Sequence, residues 1–195
     1  MTRRIAIIQG HPDSRDGHFC RALAEAYVKG AAAGGHEIRI IEVASLEFPV
    51  LRGKDEWERG TPVAAIRQAQ ETIHWAQHLV IVYPLWLGGL PALLKAFLEQ
   101  VFRPGFALEQ SAEGKPWTRL LKGRSARIVV TMGMPAIFYR WYFGAHSLRS
   151  FERNILGFCG IGPISESLVG MIESRDTARR EKWLSKMREF GKDGS

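Results

Sequence analysis

Five strand-like runs, the first of them continuously apolar, alternate with stretches of helical spacing, and this alternation restricts the fold more than any other feature of the chain. The runs are Ile5 to Gln9, Ile38 to Val43, Leu79 to Tyr83, Ala126 to Met132 and Ile161 to Met171. A run that is apolar at every position, not at every second one, suits a strand covered on both faces, as in a parallel sheet. Between the runs, Phe19, Leu23, Ala26, Tyr27 and Gly30 recur at helical spacing, with Gly34-Gly35 as a stop. Val63, Ile66, Ala69, Ile73 and Ala76 form a second stripe behind Thr61-Pro62, which reads as an N-cap followed by proline at the first helical position. Pro91 opens a third helix with Leu94, Phe97, Leu98 and Val101 on its apolar side. Helical spacing resumes from Leu148 to Phe158, and Ser174 reads as the cap of a last helix with Trp183, Leu184, Met187 and Phe190 facing inward. Ser45 to Gly60 and Pro104 to Gly123 read as irregular. Strand and helix in alternation imply right-handed crossovers, so the expected fold is α/β. It is a single domain over residues 1–195, with a five-stranded parallel sheet doubly wound by helices on both faces.

Such sheets bind ligands beyond the carboxyl ends of their strands, where the strand order reverses. Three loops fall there. The first, Gly10 to Phe19, leads from a strand into a helix N-terminus, where free N–H groups and the helix dipole attract anions. His11, Ser14, Arg15 and His18 add side-chain donors. Its spacing is neither the dinucleotide glycine fingerprint nor a P-loop. The second loop, Tyr83 to Pro91, holds two prolines, two glycines and the apolar run Leu85-Trp86-Leu87. It suits a partner subunit or a flat aromatic ligand. The third runs from Thr131 through Met132, Gly133 and Met134 to Pro135, and is followed by Tyr139, Trp141, Tyr142, Phe143 and His146. One loop suited to phosphates beside two apolar, backbone-rich loops describes half a flavin nucleotide site, with backbone N–H groups placed to stabilise charge on a reduced ring.

Composition removes competing classes. A formal net charge of +7 could indicate nucleic-acid binding, but the basic residues are scattered. The one dense group, Arg175, Arg179, Arg180 and Lys182, comes with no RNA-binding or zinc-finger pattern. No nucleic-acid partner is expected. The two cysteines, Cys20 and Cys159, sit in apolar company and read as buried thiols, with no disulfide framework and no metal spacing. No apolar stretch reaches the length of a membrane span or a signal segment, so a cytoplasmic protein without membrane insertion is expected.

The segment YPLWLGGLPALLKAFLEQVFRPGFA, Tyr83 to Ala107, resembles the NAD(P)H:quinone oxidoreductases of the flavodoxin-like fold and their bacterial relatives. Leu46 to Glu58, Val129 to Gly133, Phe158 to Ile161 and the opening Gly10-His11-Pro12 extend the resemblance over most of the chain. It implies a flavodoxin-like fold and hydride transfer from NAD(P)H through a bound flavin to a quinone-like acceptor, in two steps. It implies that His11, Phe19 and their neighbours, with Cys20 among them, hold the flavin phosphates and ribityl chain. Pro84, Leu85, Trp86, Leu87 and Gly88 would line one edge of the ring, and Thr131, Met132, Gly133 and Met134 another. Tyr139 and His146 would stabilise the reduced flavin, as the catalytic pair. FAD is the implied cofactor, with FMN as the alternative; NADH and NADPH stay open. The resemblance also implies a homodimer, with the aromatic run Phe138 to Phe143 partly in the interface. Relatives of this fold also act as ancillary subunits of potassium-efflux systems or as azo and nitro reductases, and those readings stand beside the first. Leu108 and Gln110 stand where the mammalian quinone reductases have quinone-contacting tyrosines.

Overall fold

The computed structural model describes residues 2–109, 117–174 and 176–195; Gln110 and Arg175 therefore lie outside the described residues. β1 (Arg4–Gln9) leads to α1 (Phe19–Ala33), β2 (Glu37–Glu42) and a single 3-10 turn at Val43–Ser45. Then follow α2 (Lys54–Arg59), α3 (Ala64–Trp75), β3 (His78–Pro84) and α4 (Ala92–Val101). β4 (Leu108–Glu109) and β5 (Thr118–Arg119) form a small antiparallel pair apart from the main sheet. β6 (Ser125–Thr131) leads to α5 (Ala136–Trp141) and a helical stretch made of α6 (His146–Ser150), a π-helical segment (Phe151–Leu156) and α7 (Gly157–Cys159). β7 (Ile164–Val169) and α8 (Thr177–Asp193) complete the chain.

The five main strands pair in parallel in the order β2-β1-β3-β6-β7. The chain steps from β1 to β2 on one side and returns to β3 on the other, so the order reverses between β1 and β3. The expected five-stranded, doubly wound α/β sheet is the observed one. Every residue of β3 is buried, which explains its unbroken apolar run. One face packs Ala6, Ile8, Ile81, Tyr83, Ile128 and Val130 against α3, α4 and the helical stretch after α5. The other packs Ile5, Ile7, Val80, Val82 and Val129 against Leu23 and Tyr27 of α1 and Met187 of α8. The thiols of Cys20 and Cys159 are buried, as expected.

Several boundaries differ from the sequence reading, each for a local reason. The stretch read as irregular holds the 3-10 turn and α2. α2 buries no residue, so it has no apolar stripe to read. α3 starts at Ala64 with Val63 at the cap, not at Thr61-Pro62, and no side chain caps it. The last helix is capped by Asp176, whose carboxylate accepts the Arg179 N–H at 3.0 Å. Ser174, the expected cap, instead accepts the Asp176 N–H through its hydroxyl at 3.3 Å. The fifth strand is shorter than Ile161 to Met171 because Pro163 has no N–H to give to a ladder. The aromatic segment after β6 contains a short helix, α5, that its composition did not announce.

Candidate functional site

The first loop ends on a helix that no side chain caps. His18 occupies the N-cap of α1 in extended conformation, yet its side chain makes no cap bond. The Arg21 N–H already donates to the His18 carbonyl at 3.0 Å, which leaves the Phe19 and Cys20 N–H groups of the first turn for an anion. Within the loop, Asp13 is the hub. Its carboxylate accepts from the Arg15 backbone N–H at 3.0 Å and from the Arg15 guanidinium at 2.6 Å, and His18 Nε2 lies 3.1 Å away. The hydrogen bonds from Arg15 hold the Asp13 carboxyl well below the usual carboxylate range. The Arg15 side chain is 84% exposed, so this pair contributes little to stability. His11 and His18 stack at 3.9 Å between ring centroids. Partial burial, and then the neighbouring His18, lower the pKa of His11.

The second loop is a tight reversal. Trp86 N–H donates to the Gly89 carbonyl at 3.1 Å and Gly89 N–H donates back to Trp86 at 2.9 Å. The two residues between them, Leu87 and Gly88, both have left-handed φ, 47° and 74°. Glycine adopts that conformation freely; leucine does so under strain. The loop touches both of its neighbours. The Trp86 ring meets His11 edge-on at 5.9 Å, and Leu85 N–H donates to the Thr131 carbonyl at 2.8 Å.

The third loop begins with side chains turned inward. Thr131 and Met132 are buried, and Thr131 Oγ1 lies 3.1 Å from Cys20 Sγ. Burial pushes the Cys20 thiol up to about 11, so it is not a ready nucleophile. For Phe19, Cys20, Pro84, Thr131 and Met132, all buried, the backbone is what a ligand could meet. Beyond α5, Gly144 and Ala145 take left-handed φ of 62° and 48° and redirect the chain into His146. The His146 ring folds back over Gly144: a Cβ added there would come within 2.7 Å of Nε2. Tyr139 is 2% exposed. Its hydroxyl lies 2.8 Å from Ser147 Oγ and accepts the Leu148 N–H at 3.3 Å.

These loops enclose a mostly apolar hollow of about 380 Å³. Leu85, Leu87 and Gly88 line it from the second loop, Met134 from the third, and Tyr139, Phe143, His146 and Ser147 from the segment beyond. His11 reaches this rim through Trp86, whereas Ser14 and Arg15 stand exposed on the first loop and do not line the hollow. The sequence reading did not include Ser147; its contact with Tyr139 depends on how α6 folds back, and no local motif signals that. Leu108 is buried in the core. A wider depression of about 440 Å³, lined by Arg3, His78 and Ser125 among others, lies at the amino ends of the strands. The carboxyl-end rule selects the smaller hollow.

A helix N-terminus without a side-chain cap, an apolar hollow and a hydroxyl–imidazole edge thus lie on one rim of a doubly wound sheet. A family model described as Flavodoxin-like fold matches residues 3–190, and the chain belongs to that family. A Haemophilus influenzae protein named "Uncharacterized NAD(P)H oxidoreductase" is 28% identical over 182 residues, covering 91% of this chain and 89% of its own. The FMN-dependent NADH:quinone oxidoreductase 3 of Bacillus cereus is 26% identical over 216 residues, covering 97% and 98%. Among solved structures, an NAD(P)H:quinone oxidoreductase from Methanothermobacter marburgensis superposes with a TM-score of 0.82 at 23% identity, covering 99% of this chain and 97% of that one.

Proposed function

We propose that this chain is an FMN-dependent NAD(P)H oxidoreductase that passes a hydride to a quinone-like acceptor in two steps. One observation carries the reading. Three strand-end loops tied to one another at a single rim place an uncapped helix N-terminus beside an apolar hollow edged by Tyr139 and His146. FMN replaces the FAD expected from sequence: the Bacillus cereus relative is named as FMN-dependent, and the donors for one phosphate are concentrated on the first loop. Bound flavin supplies the two-electron carrier that the side chains lack.

The residues present fit such a group. The α1 N–H groups, with Ser14, Arg15, His11 and His18, would hold the phosphate and adjoining chain. Leu85, Trp86, Leu87 and Gly88 would bear on one edge of the ring, and Gly133 and Met134 on another. The Phe19, Cys20, Pro84, Thr131 and Met132 backbones would complete the cradle. The apolar walls exclude water, which strengthens the few polar contacts inside. Tyr139 and His146 are the catalytic pair of this proposal, offering a hydroxyl and an imidazole where negative charge develops. The exposed aromatic face beside the hollow supports a homodimer.

The test starts with purified protein stripped of ligand. FMN added in increments should lose fluorescence with saturation, and NADH or NADPH added without oxygen should bleach the bound flavin. A quinone should then restore the colour. Protein that takes up no FMN overturns the proposal.

A further inference from the structure

We infer that Ser147 is a positioning residue that sets the direction of the Tyr139 phenol proton, making Tyr139 a hydrogen-bond donor into the hollow. This rests on the flavin reading above. The geometry leaves few arrangements. Tyr139 Oη already accepts the Leu148 N–H, so one of its lone pairs is engaged. At 2.8 Å from Ser147 Oγ, one proton lies between the two hydroxyls, and either residue can supply it. If Tyr139 donates to Ser147, the phenol has no proton for a ligand. If Ser147 donates, Tyr139 Oη has accepted two hydrogen bonds and its own proton must point elsewhere.

Protein surrounds the phenol on most sides, since Tyr139 is buried, and the hollow is the cavity it lines. The nearby Tyr83 hydroxyl is buried with no hydrogen-bond partner among the described residues, so it does not receive the Tyr139 proton. Ser147 itself lines the hollow and is half-buried, which keeps its hydroxyl within reach of Tyr139. Leu148 N–H donates to the phenol oxygen, and the adjacent Ser147 hydroxyl is placed to donate to it as well, which is the arrangement inferred. With Ser147 donating, the third direction is left for the phenol proton, toward the hollow that Tyr139 lines.

The experiment is a double-mutant cycle on full-length protein reconstituted with FMN: wild type, Ser147→Ala, Tyr139→Phe and the double variant. Flavin reduction by NADH is followed by anaerobic stopped flow, the midpoint potential of bound FMN is measured, and FMN affinity is titrated. Ser147→Ala should slow flavin reduction about tenfold, the worth of one well-placed hydrogen bond. It should also lower the potential, because the Tyr139 proton is no longer held toward the hollow, with FMN affinity and Tm unchanged. In the Tyr139→Phe background the same substitution should change neither rate nor potential. Ser147→Thr should restore both, and Ser147→Val, of the same shape without the hydroxyl, should not; this pair also serves should Ser147→Ala fold poorly. Equal losses in both backgrounds, or a Ser147→Ala protein indistinguishable from wild type, overturn the inference while leaving the flavin reading intact. A wild-type protein that neither binds FMN nor lets NADH reduce it overturns both.

Discussion

Leu87 holds a left-handed backbone with its side chain fully in solvent, at 109% relative exposure. A β-carbon in that conformation costs about 1–2 kcal/mol, and no burial in the protomer offsets it. Asparagine tolerates the conformation better. Leu87→Asn should therefore raise stability by about 0.5–1 kcal/mol, read as a higher urea midpoint, while weakening FMN binding several-fold because an apolar wall of the hollow is lost. A lower urea midpoint would show that Leu87 is not strained. His78 gives the pH counterpart. It is buried at the start of β3, its Nδ1 lies 2.7 Å from Ser125 Oγ, and burial lowers its pKa from 6.5 to about 4, with Arg3 and Arg127 adding to the effect. The unfolded chain binds a proton below 6.5 while the folded one does not until about 4, so stability falls as pH drops through that window. By pH 5 the loss should be about 2 kcal/mol, at roughly 1.4 kcal/mol per pH unit, and His78→Gln should flatten it in urea titrations at pH 7 and pH 5. Neither feature could be read from sequence. Leu87 looked like one more apolar ligand contact, and His78 was a residue just ahead of an apolar run. What sets them apart is a dihedral angle and a neighbourhood assembled from distant segments.

At the scale of elements, the sequence was legible where burial imposes a period. The strands β1, β3 and β6 announced themselves because each hides both faces, and the long helices α1, α3, α4 and α8 because each hides a stripe; the more exposed edge strands β2 and β7 were read from the alternation. α2 and α5 did not, being six residues each, too short for a 3.6-residue period to recur. Caps were the weakest reading, because Ser174 and Asp176 are both good cap residues and only their backbone geometry separates them. Asp176→Ala should cost about 1 kcal/mol and Ser174→Ala much less, a difference that chemical denaturation of the two variants resolves. The α1–α8 contact hides a second constraint. A Cβ on Gly30 would lie 2.0 Å from the Arg188 carbonyl, and one on Gly191 would lie 2.1 Å from that of Tyr27. Alanine at 191 would gain up to about 1 kcal/mol in helix propensity and lose about 1–3 kcal/mol in forced separation of the two helices. Gly191→Ala should therefore lower the Tm; an unchanged or higher Tm would mean that the helices part without cost.

For the whole molecule, topology explains why the site was findable at all. Once alternation implies a doubly wound sheet, the carboxyl-end rule directs attention to three loops, and those loops do meet at one rim. The choice between FMN and FAD proposed for this rim was not legible, since a second phosphate and an adenine need surfaces that no contiguous motif encodes. What covers the rim follows from exposure. Phe138 and Tyr142 stack and Phe143 meets both edge-on beside the hollow, while Trp141 at 80% exposure and Ile137, on the same short helix, line a second depression with Trp183 and Phe190. An apolar patch of this kind on a monomer would be a liability unless something occupies it. A second copy of the chain, packed across the mouth of the hollow, would bury it and narrow access for NAD(P)H and acceptor together. Light scattering after size exclusion should thus give a dimer at micromolar concentration. Trp141→Glu, which adds a charge at an exposed position of this aromatic helix, should shift the population toward monomer. Its NADH oxidation should fall in step with the dimer fraction, recovering as protein concentration rises. A monomeric wild type, or a Trp141→Glu variant that stays dimeric and fully active, would place the interface elsewhere and leave the aromatic face to another partner.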